Sequence, residues 1–222
     1  MDIPGIIQQL ALSALPVLIA ITFHEVSHGF IANKLGDPTA KMLGRLTLNP
    51  LAHIDPFGTI LMPLMLLVFT NGQFVFGYAK PVPINPMNFK NPKRDMALSA
   101  AGGPVTNIIL AIVSMLLLKF LIIPSAPLFP DGMAEKILLP AGMMLKSSVV
   151  INIVLAAFNL IPIPPLDGGR VLVGLLPYKQ AMSFSKIEPF GFLIVMVLIV
   201  TGIANYFVMP LVSLFLALLG MF

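Results

Sequence analysis

The sequence predicts an all-α polytopic membrane protein, built as one domain over residues 1–222 with about five to six apolar segments. Three observations carry this prediction. Of the 222 residues, 58% are hydrophobic and 10% are charged, whereas about a quarter of the residues in soluble domains are charged. The mean hydropathy is +0.98. The apolar residues also form long runs, as bilayer-spanning helices require.

Four of the apolar runs are long enough to cross a bilayer, which takes about 20 residues of helix. They cover residues 6–35, 96–123, 137–161 and 190–207. The first three predict the core helices of the domain, at about residues 5–35, 95–123 and 137–162. A last run, at 211–222, is short.

A shorter run at residues 57–69 is interrupted by Pro63, and an alternating stretch from Gln73 to Tyr78 follows it. A run of this length cannot cross a bilayer twice. We therefore expect a shallow re-entrant loop whose backbone is covered by protein or water. The alternation predicts a strand or hairpin, and hence a small membrane-associated β element.

Basic residues cluster at two places, after the first run and before the second long one. Cytoplasmic loops of membrane proteins carry an excess of Lys and Arg, so both clusters should face the cytoplasm, with an even number of crossings between them. The amino terminus then lies outside and the first helix runs inward. The clusters are Lys34, Lys41 and Arg45, and Lys80, Lys90, Lys93 and Arg94.

The charge and the cysteine content of the sequence limit what the protein can bind. The net charge of +4 comes from 13 basic and 9 acidic residues, most of them at segment ends, which suits membrane topology rather than nucleic-acid binding. There is no cysteine, so a metal ion would be held by histidine and carboxylate ligands. The first run lacks a basic leader and a small-residue cleavage site, so a cleaved signal peptide is not expected.

The first helix carries ionisable residues at membrane depth, in His24-Glu25-Val26-Ser27-His28. Residues four apart share a helix face, so His24 and His28 can bind one metal ion while Glu25 reaches a water molecule at that metal. This layout is typical of zinc hydrolases. A satisfied polar cluster between helices is the other interpretation, and the apolar surroundings disfavour it because charged side chains are costly there.

A single carboxylate, Asp167, stands after the third core helix. The prolines from Pro162 to Pro165 end that helix and open the chain into an extended loop. A catalytic zinc commonly has three protein ligands, and two histidines with one acid are a frequent set. Asp167 is therefore the candidate third ligand, although it could instead cap a short helix beginning near Gly168.

Four further polar residues have two interpretations each. His53 and Asp55 are alternative ligands, but they stand in a proline-flanked loop where turn capping is the simpler role. We leave them outside the predicted site. Asn107 and Asn159 belong to the second and third core helices. They either pack helices closely or point toward a substrate backbone, and both alternatives stay open.

Three motifs together resemble the site-2 protease family of intramembrane zinc metalloproteases. They are the His-Glu-x-x-His helix, the Gly-Pro-x-x-Asn helix and Asn-Leu-Ile-Pro-Ile-Pro-Pro-Leu-Asp-Gly. The resemblance implies that His24, His28 and Asp167 are the ligands of one zinc ion. It implies that Glu25 is the catalytic acid/base and that Asn107 and Asn159 position the substrate. It also implies that residues 77–84 form the β element. The chain has no room for the PDZ or CBS domains of some relatives, so it resembles the minimal branch.

The resemblance implies a zinc-dependent endopeptidase that cleaves peptide bonds in or near the transmembrane segments of membrane-anchored proteins. We expect it in a prokaryotic plasma membrane, in contact with the lipid bilayer, with its active site nearer the cytoplasm. The competing interpretation is a membrane metal-ion carrier whose intramembrane His and Asp residues bind a cation in transit. A third is a binding scaffold without proteolysis.

Overall fold

The structure, a computed structural model, describes residues 3–69, 77–130 and 132–220. Over these ranges all regular secondary structure is helical, which confirms the all-α class. The helices are α1 (Ile3–Lys34), α2 (Thr39–Met42), α3 (Met62–Phe69), α4 (Pro92–Leu117), α5 (Ile123–Ser125), α6 (Met133–Asn159), α7 (Asp167–Leu175), α8 (Tyr178–Ser185), α9 (Gly191–Val200) and α10 (Ile203–Leu218). Short 3₁₀ or π turns stand at Pro50–His53, Pro56–Leu61, Pro86–Asn88, Leu118–Ile122, Ala126–Leu128 and Glu188–Phe190.

Four helical stretches of the described chain are long and apolar enough to cross a membrane. The first three overlap the predicted core helices. Their outer faces carry exposed apolar side chains, for example Ile109, Val113 and Phe120 on the second stretch, as expected of surfaces that face lipid. The chain is therefore a multi-pass membrane protein. The stretches are Leu10–Lys34, Pro92–Leu128, Met133–Asn159 and Tyr178–Val200.

The predicted span at residues 190–207 is divided into two helices. Helix α9 ends at Val200 and α10 begins at Ile203. Between them the chain turns at Gly202 with φ 75°, a left-handed conformation that glycine adopts without a steric penalty. The apolar run does not reveal this turn, because the residues on both sides of it are equally hydrophobic.

The predicted re-entrant loop and β element are only partly described. Residues Pro56–Phe69 form one apolar helix shorter than a span. The alternating residues 73–76 lie outside the described part of the chain. Residues 77–85 run without strand pairing among the described residues, and the Lys80 N–H donates instead to the His53 carbonyl at 3.0 Å. The re-entrant path and the β element stay predictions.

Helix α4 lies at the centre of the fold and contacts α1, α6 and α7. Small residues permit this packing, since a Cβ added to Gly102 would lie 2.5 Å from Ile31 Cδ1 of α1. Apolar side chains of α4, α6 and α10 form the core, including Ala111, Val149 and Val208. The polar faces of α1 and α4 and the first turn of α7 are thereby brought together.

Candidate active site

The structure brings His24, His28 and Asp167 together at the contact of α1 with α7. The Nε2 atoms of the two histidines lie 3.2 and 3.4 Å from Asp167 Oδ2, and all three ligand atoms lie within 4.8 Å of one another. The side chains are nearly closed off, with 8%, 8% and 7% of their residue surfaces exposed. Asp167 stands 143 positions after His24 in the chain, yet the two histidine nitrogens and the Asp167 oxygen face a common point.

The loop after α6 delivers Asp167 to this point. Its prolines end α6, as the sequence predicts, and α7 begins at Asp167 itself. Two glycines then let α7 lie directly against the loop, because a Cβ on Gly168 would stand 2.3 Å from the Leu160 carbonyl oxygen, and one on Gly169 2.2 Å from Pro164 N. Any larger residue at either position would push Asp167 away from the histidines.

Helix α4 forms the wall behind the histidines, and Gly103 makes its close approach possible. A Cβ on Gly103 would lie 2.5 Å from His28 Nε2 and 2.6 Å from His24 Nε2. That distance is far below van der Waals contact, so only glycine fits beside the two ligand atoms. The sequence indicated close packing here through its small residues, but not that this packing is against the two candidate ligands, His24 and His28.

The outer nitrogens of both imidazoles are held by hydrogen bonds. The His28 Nδ1–H donates to the backbone carbonyl of Ser99 at 2.8 Å, and the His24 Nδ1–H donates to Asn107 Oδ1 at 2.5 Å. A carbonyl oxygen only accepts, so each ring carries its proton on Nδ1 and turns the lone pair of Nε2 toward Asp167. Such outer partners orient the ligands of metal sites in this way.

These donor atoms fit a zinc ion. Two imidazole lone pairs and a carboxylate oxygen face one another, and Asp167 Oδ2 is buried with no hydrogen-bond partner among the described residues. Without a cation, the three electron-rich atoms would repel one another in a poorly solvated place. Two histidines and one acid form a common set for catalytic zinc, which keeps a fourth position open.

Glu25, the predicted acid/base, follows His24 on α1 and is half-buried. Its Oε2 accepts a hydrogen bond from the Val82 N–H at 2.8 Å. The segment at 77–85 therefore touches the site through one backbone amide. The side chain of Val82 is itself buried, which fixes that amide in place.

A second carboxylate, Asp37, ties the same segment to the end of α1. Its oxygens accept from the Asn85 N–H at 2.7 Å and from Asn88 Nδ2 at 2.8 Å, and also from the Thr39 N–H at 3.1 Å. Burial alone would raise the pKa of the Asp37 carboxyl, but the hydrogen bonds from Thr39, Asn88 and Asn85 hold that pKa below its usual range. The sequence analysis did not single out Asp37.

The two predicted asparagines are placed differently. Asn107 is fully buried and bonds to His24, Asn152 and the Ala20 carbonyl. Asn159 is half-buried, and its Nδ2 donates to the Leu155 carbonyl of its own helix at 3.0 Å. A direct role of either one in substrate binding stays a prediction, while the contacts of Asn107 favour a role in holding His24.

His53 and Asp55 lie outside the cluster of ligand atoms. His53 is buried, and its Nε2 donates to the Thr47 carbonyl at 2.9 Å. Asp55 Oδ1 accepts from the N–H groups of Phe57 and Gly58 at 3.0 and 2.7 Å. Asp55 therefore caps the following helical turn, which is the role that the sequence analysis favoured for this loop.

Sequence reasoning missed three residues that shape the site, namely Ser99, Val82 and Asn152. The Ser99 carbonyl and the Val82 N–H are backbone groups, and no side-chain pattern reveals their contacts. The Ser99 hydroxyl also donates to the His28 carbonyl at 2.8 Å. Asn152 had a signal: Ser148, Asn152 and Asn159 follow one another at spacings of four and seven in the largely apolar second half of α6, and such spacings place side chains on one face.

Comparison with known proteins decides the family. Residues 130–202, which include Asp167, match the model of Peptidase family M50. The chain is also 38% identical over 199 residues to the Bacillus subtilis protein named "Putative zinc metalloprotease YwhC", covering 89% of this chain and 84% of that protein. The chain belongs to peptidase family M50. The resemblance to the site-2 proteases is thereby confirmed. The protein is a zinc metalloprotease, which uses one zinc ion and acts on protein substrates.

More distant relatives carry the same kind of name. Two proteins named "Putative zinc metalloprotease Rip2" are similar over 188 residues, or 85% of this chain and 66% of each relative. That of Mycolicibacterium smegmatis is 27% identical and that of Mycobacterium tuberculosis 26%. No solved structure matches the chain.

Proposed function

We propose that this M50 peptidase is an intramembrane endopeptidase, which hydrolyses peptide bonds in or near the transmembrane segments of membrane-anchored proteins. One observation carries the proposal: His24, Glu25 and His28 stand on a helix long and apolar enough to span a membrane, and Asp167 meets the two histidines there. A protease whose metal ligands lie within such a helix is suited to substrates that lie in the same membrane.

The residues divide the chemistry among them. His24, His28 and Asp167 would hold the zinc ion, which when bound supplies Lewis acidity and makes water nucleophilic near neutral pH. Glu25 takes a proton from the attacking water and returns it to the departing amine. The hydrogen bond from the Val82 N–H to Oε2 leaves Glu25 Oε1 for this proton transfer. Closure of the site by α4 and α7 limits the entry of other water molecules.

We further propose that the site lies nearer the cytoplasmic face of a prokaryotic plasma membrane. His24 is ten residues from the end of α1 at Lys34, or about 15 Å at the rise of an α-helix. Lys34, Lys41 and Arg45 follow at that end, where the positive-inside rule expects the cytoplasm. Asp167 approaches from the loop after α6, so both parts of the site share this depth.

Cleavage by the purified protein tests the proposal. The detergent-solubilised chain is incubated with a panel of single-span substrates, with and without a zinc chelator, and products are identified by mass spectrometry. We expect chelator-sensitive cuts within or beside the membrane segment. Cuts restricted to soluble substrates would contradict the intramembrane assignment. Zinc uptake into vesicles together with an absence of peptide products would favour the metal-ion carrier instead.

A further inference from the structure

We propose that Asn152 is a positioning residue of the zinc site, which sets the orientation of the Asn107 amide and through it the tautomer of His24. The inference rests on the proposed function, because it concerns how the metal ligand His24 is prepared. Neither the family match nor the relatives assign a role to Asn152. It lies on α6, whereas His24 lies on α1, and the two are linked through Asn107 on α4.

A line of hydrogen bonds connects α6 to the metal ligand. Asn152 Nδ2 donates to the Ser148 backbone carbonyl at 2.8 Å. Asn107 Nδ2 donates to Asn152 Oδ1 at 2.7 Å. Asn107 Oδ1 then accepts from His24 Nδ1 at 2.5 Å. Both asparagines are 0% exposed, so solvent does not supply alternative partners.

The direction of every bond in this line follows from its first member. The Ser148 carbonyl only accepts, so the amino end of Asn152 must face it and the oxygen end must face Asn107. Asn107 therefore turns its amino group toward Asn152, where it also meets the Ala20 carbonyl at 3.3 Å. Its oxygen is left for His24. His24 must then carry its proton on Nδ1, which frees Nε2 to bind a metal.

Reversal of the Asn107 amide would have a chemical consequence. An amino group in place of Oδ1 would require an acceptor at His24 Nδ1, and the ring proton would then move to Nε2, the atom that faces Asp167. A protonated Nε2 does not bind zinc. Asn152 opposes this reversal, because an amide oxygen of Asn107 facing Asn152 Oδ1 would leave two buried acceptors against each other.

Ordinary helix packing is the alternative role of Asn152, and the chain offers a matched control for it. The hydroxyls of Ser114 and Ser148 lie 2.8 Å apart and also join α4 to α6. The Ser148 hydroxyl in addition accepts from Asn152 Nδ2 at 3.2 Å, so Ser148 belongs to the line and is not a control. Ser114→Ala removes a contact between the same two helices and leaves Ser148 and Asn152 in place. It should therefore bind zinc as the parent does.

Zinc affinity of the purified full-length protein, measured by chelator competition, tests the inference. Loss of a direct outer-shell partner costs about 10- to 100-fold in metal affinity. Asn152 acts one step further out, so we expect Asn152→Leu to weaken zinc binding about tenfold. Ser114→Ala should stay within about twofold of the parent. Parental affinity in Asn152→Leu, or an equal loss in Ser114→Ala, would overturn the inference.

A double-mutant comparison separates positioning from a general loss of structure. Because Asn152 acts through Asn107, Asn152→Leu should cause no further loss of zinc affinity in a protein that already carries Asn107→Leu. Losses that add fully in the double variant would reject the coupling.

A measurement without metal decides the inference even where zinc binding or the folding of Asn152→Leu fails. Histidine ¹⁵N shifts of the zinc-free parent should show His24 protonated on Nδ1, and Asn152→Leu, like Asn107→Leu, should allow the other tautomer. Asn152→Ala serves the same purpose where the leucine variant does not fold. The His24→Ala variant assigns the signal. An Nε2-protonated His24 in the parent would refute the positioning role. If zinc binding is absent while the Asn152 variants still change the His24 tautomer, the proposed function fails and the role of Asn152 in orienting His24 stands. An Nδ1 tautomer that is unchanged in the Asn152 variants would overturn that role.

Discussion

The ligand cluster (His24, His28 and Asp167) and the 77–88 segment beside Glu25 are held in opposite ways. The cluster is fixed by α4, through the Asn107 side chain, the Ser99 carbonyl and close packing against Gly103. The 77–88 segment has no regular pairing within the described residues and is fixed by backbone amides that donate to two carboxylates. Metal binding should therefore depend on the side chains and packing of α4, and proton transfer on the path of the backbone in the 77–88 segment.

The substitution Glu25→Gln should separate the catalytic role of Glu25 from metal binding by the ligand cluster, and its expected effect is the largest. We expect cleavage of a membrane-spanning substrate to fall by about 10²- to 10⁴-fold, because glutamine cannot take up a proton from water. Zinc content, measured by atomic emission, should stay at the parental level, since the ligand cluster is untouched. The glutamine oxygen can still accept the Val82 N–H. Retained cleavage would reject Glu25 as the acid/base.

Removal of Asp167 tests the cluster itself. Asp167→Ala should weaken zinc binding by more than about 100-fold, because even outer-shell partners are worth 10- to 100-fold. The same assay on His24→Ala gives the loss for an imidazole ligand. Parental zinc content in Asp167→Ala would move the third ligand to His53 or Asp55, the alternatives raised by the sequence.

Gly103→Ala tests whether close packing holds the cluster. The added methyl would lie 2.5 Å from His28 Nε2, so the ligand atoms must move apart and zinc affinity should fall about tenfold or more. Gly142→Ala on α6 is the matched control, because its nearest contact, Ile122 Cγ2, is 3.5 Å away. Equal zinc affinity in the two variants would show that α4 tolerates the displacement.

The sequence was informative where chemistry depends on side-chain spacing. The spacing of His24 and His28 and the proline-broken exit before Asp167 predicted the group that the structure brings together. The sequence could not predict the backbone contacts of the Ser99 carbonyl and the Val82 N–H. Every residue type has a backbone carbonyl, and every type except proline has an N–H. The break at Gly202 was hidden for another reason, because hydrophobicity alone does not distinguish one long helix from two short ones.

The backbone of the 77–88 segment is tested by Val82→Pro, which removes the N–H that binds Glu25. A hydrogen bond to a charged group contributes about 1.5–3 kcal/mol, so we expect cleavage to fall roughly tenfold or more with zinc content unchanged. Val82→Ala keeps the N–H and controls for lost packing. Equal kcat values in the two variants would mean that this amide has no part in catalysis.

Asp37 gives the smallest expected effect and the one that depends on pH. Its folded pKa lies below the ordinary value, so its stabilisation is complete above about pH 4, the pKa of an unfolded aspartate, and is lost as pH falls through the lower folded pKa. Asp37→Asn should therefore reduce the free energy of unfolding by roughly 1 kcal/mol at pH 7, allowing for solvent near the loop.

The difference in thermal stability between Asp37→Asn and the parent should then shrink below pH 4, because the parent loses the same charge on protonation. Glu188→Gln is the control, since Glu188 forms an exposed ion pair with Arg170 at 3.3 Å, and such pairs contribute little. A difference that is constant from pH 7 to pH 3 would show that Asp37 holds the 77–88 segment by shape rather than by charge. In that event the two regions would differ less than their contacts indicate, because both would rest on packing.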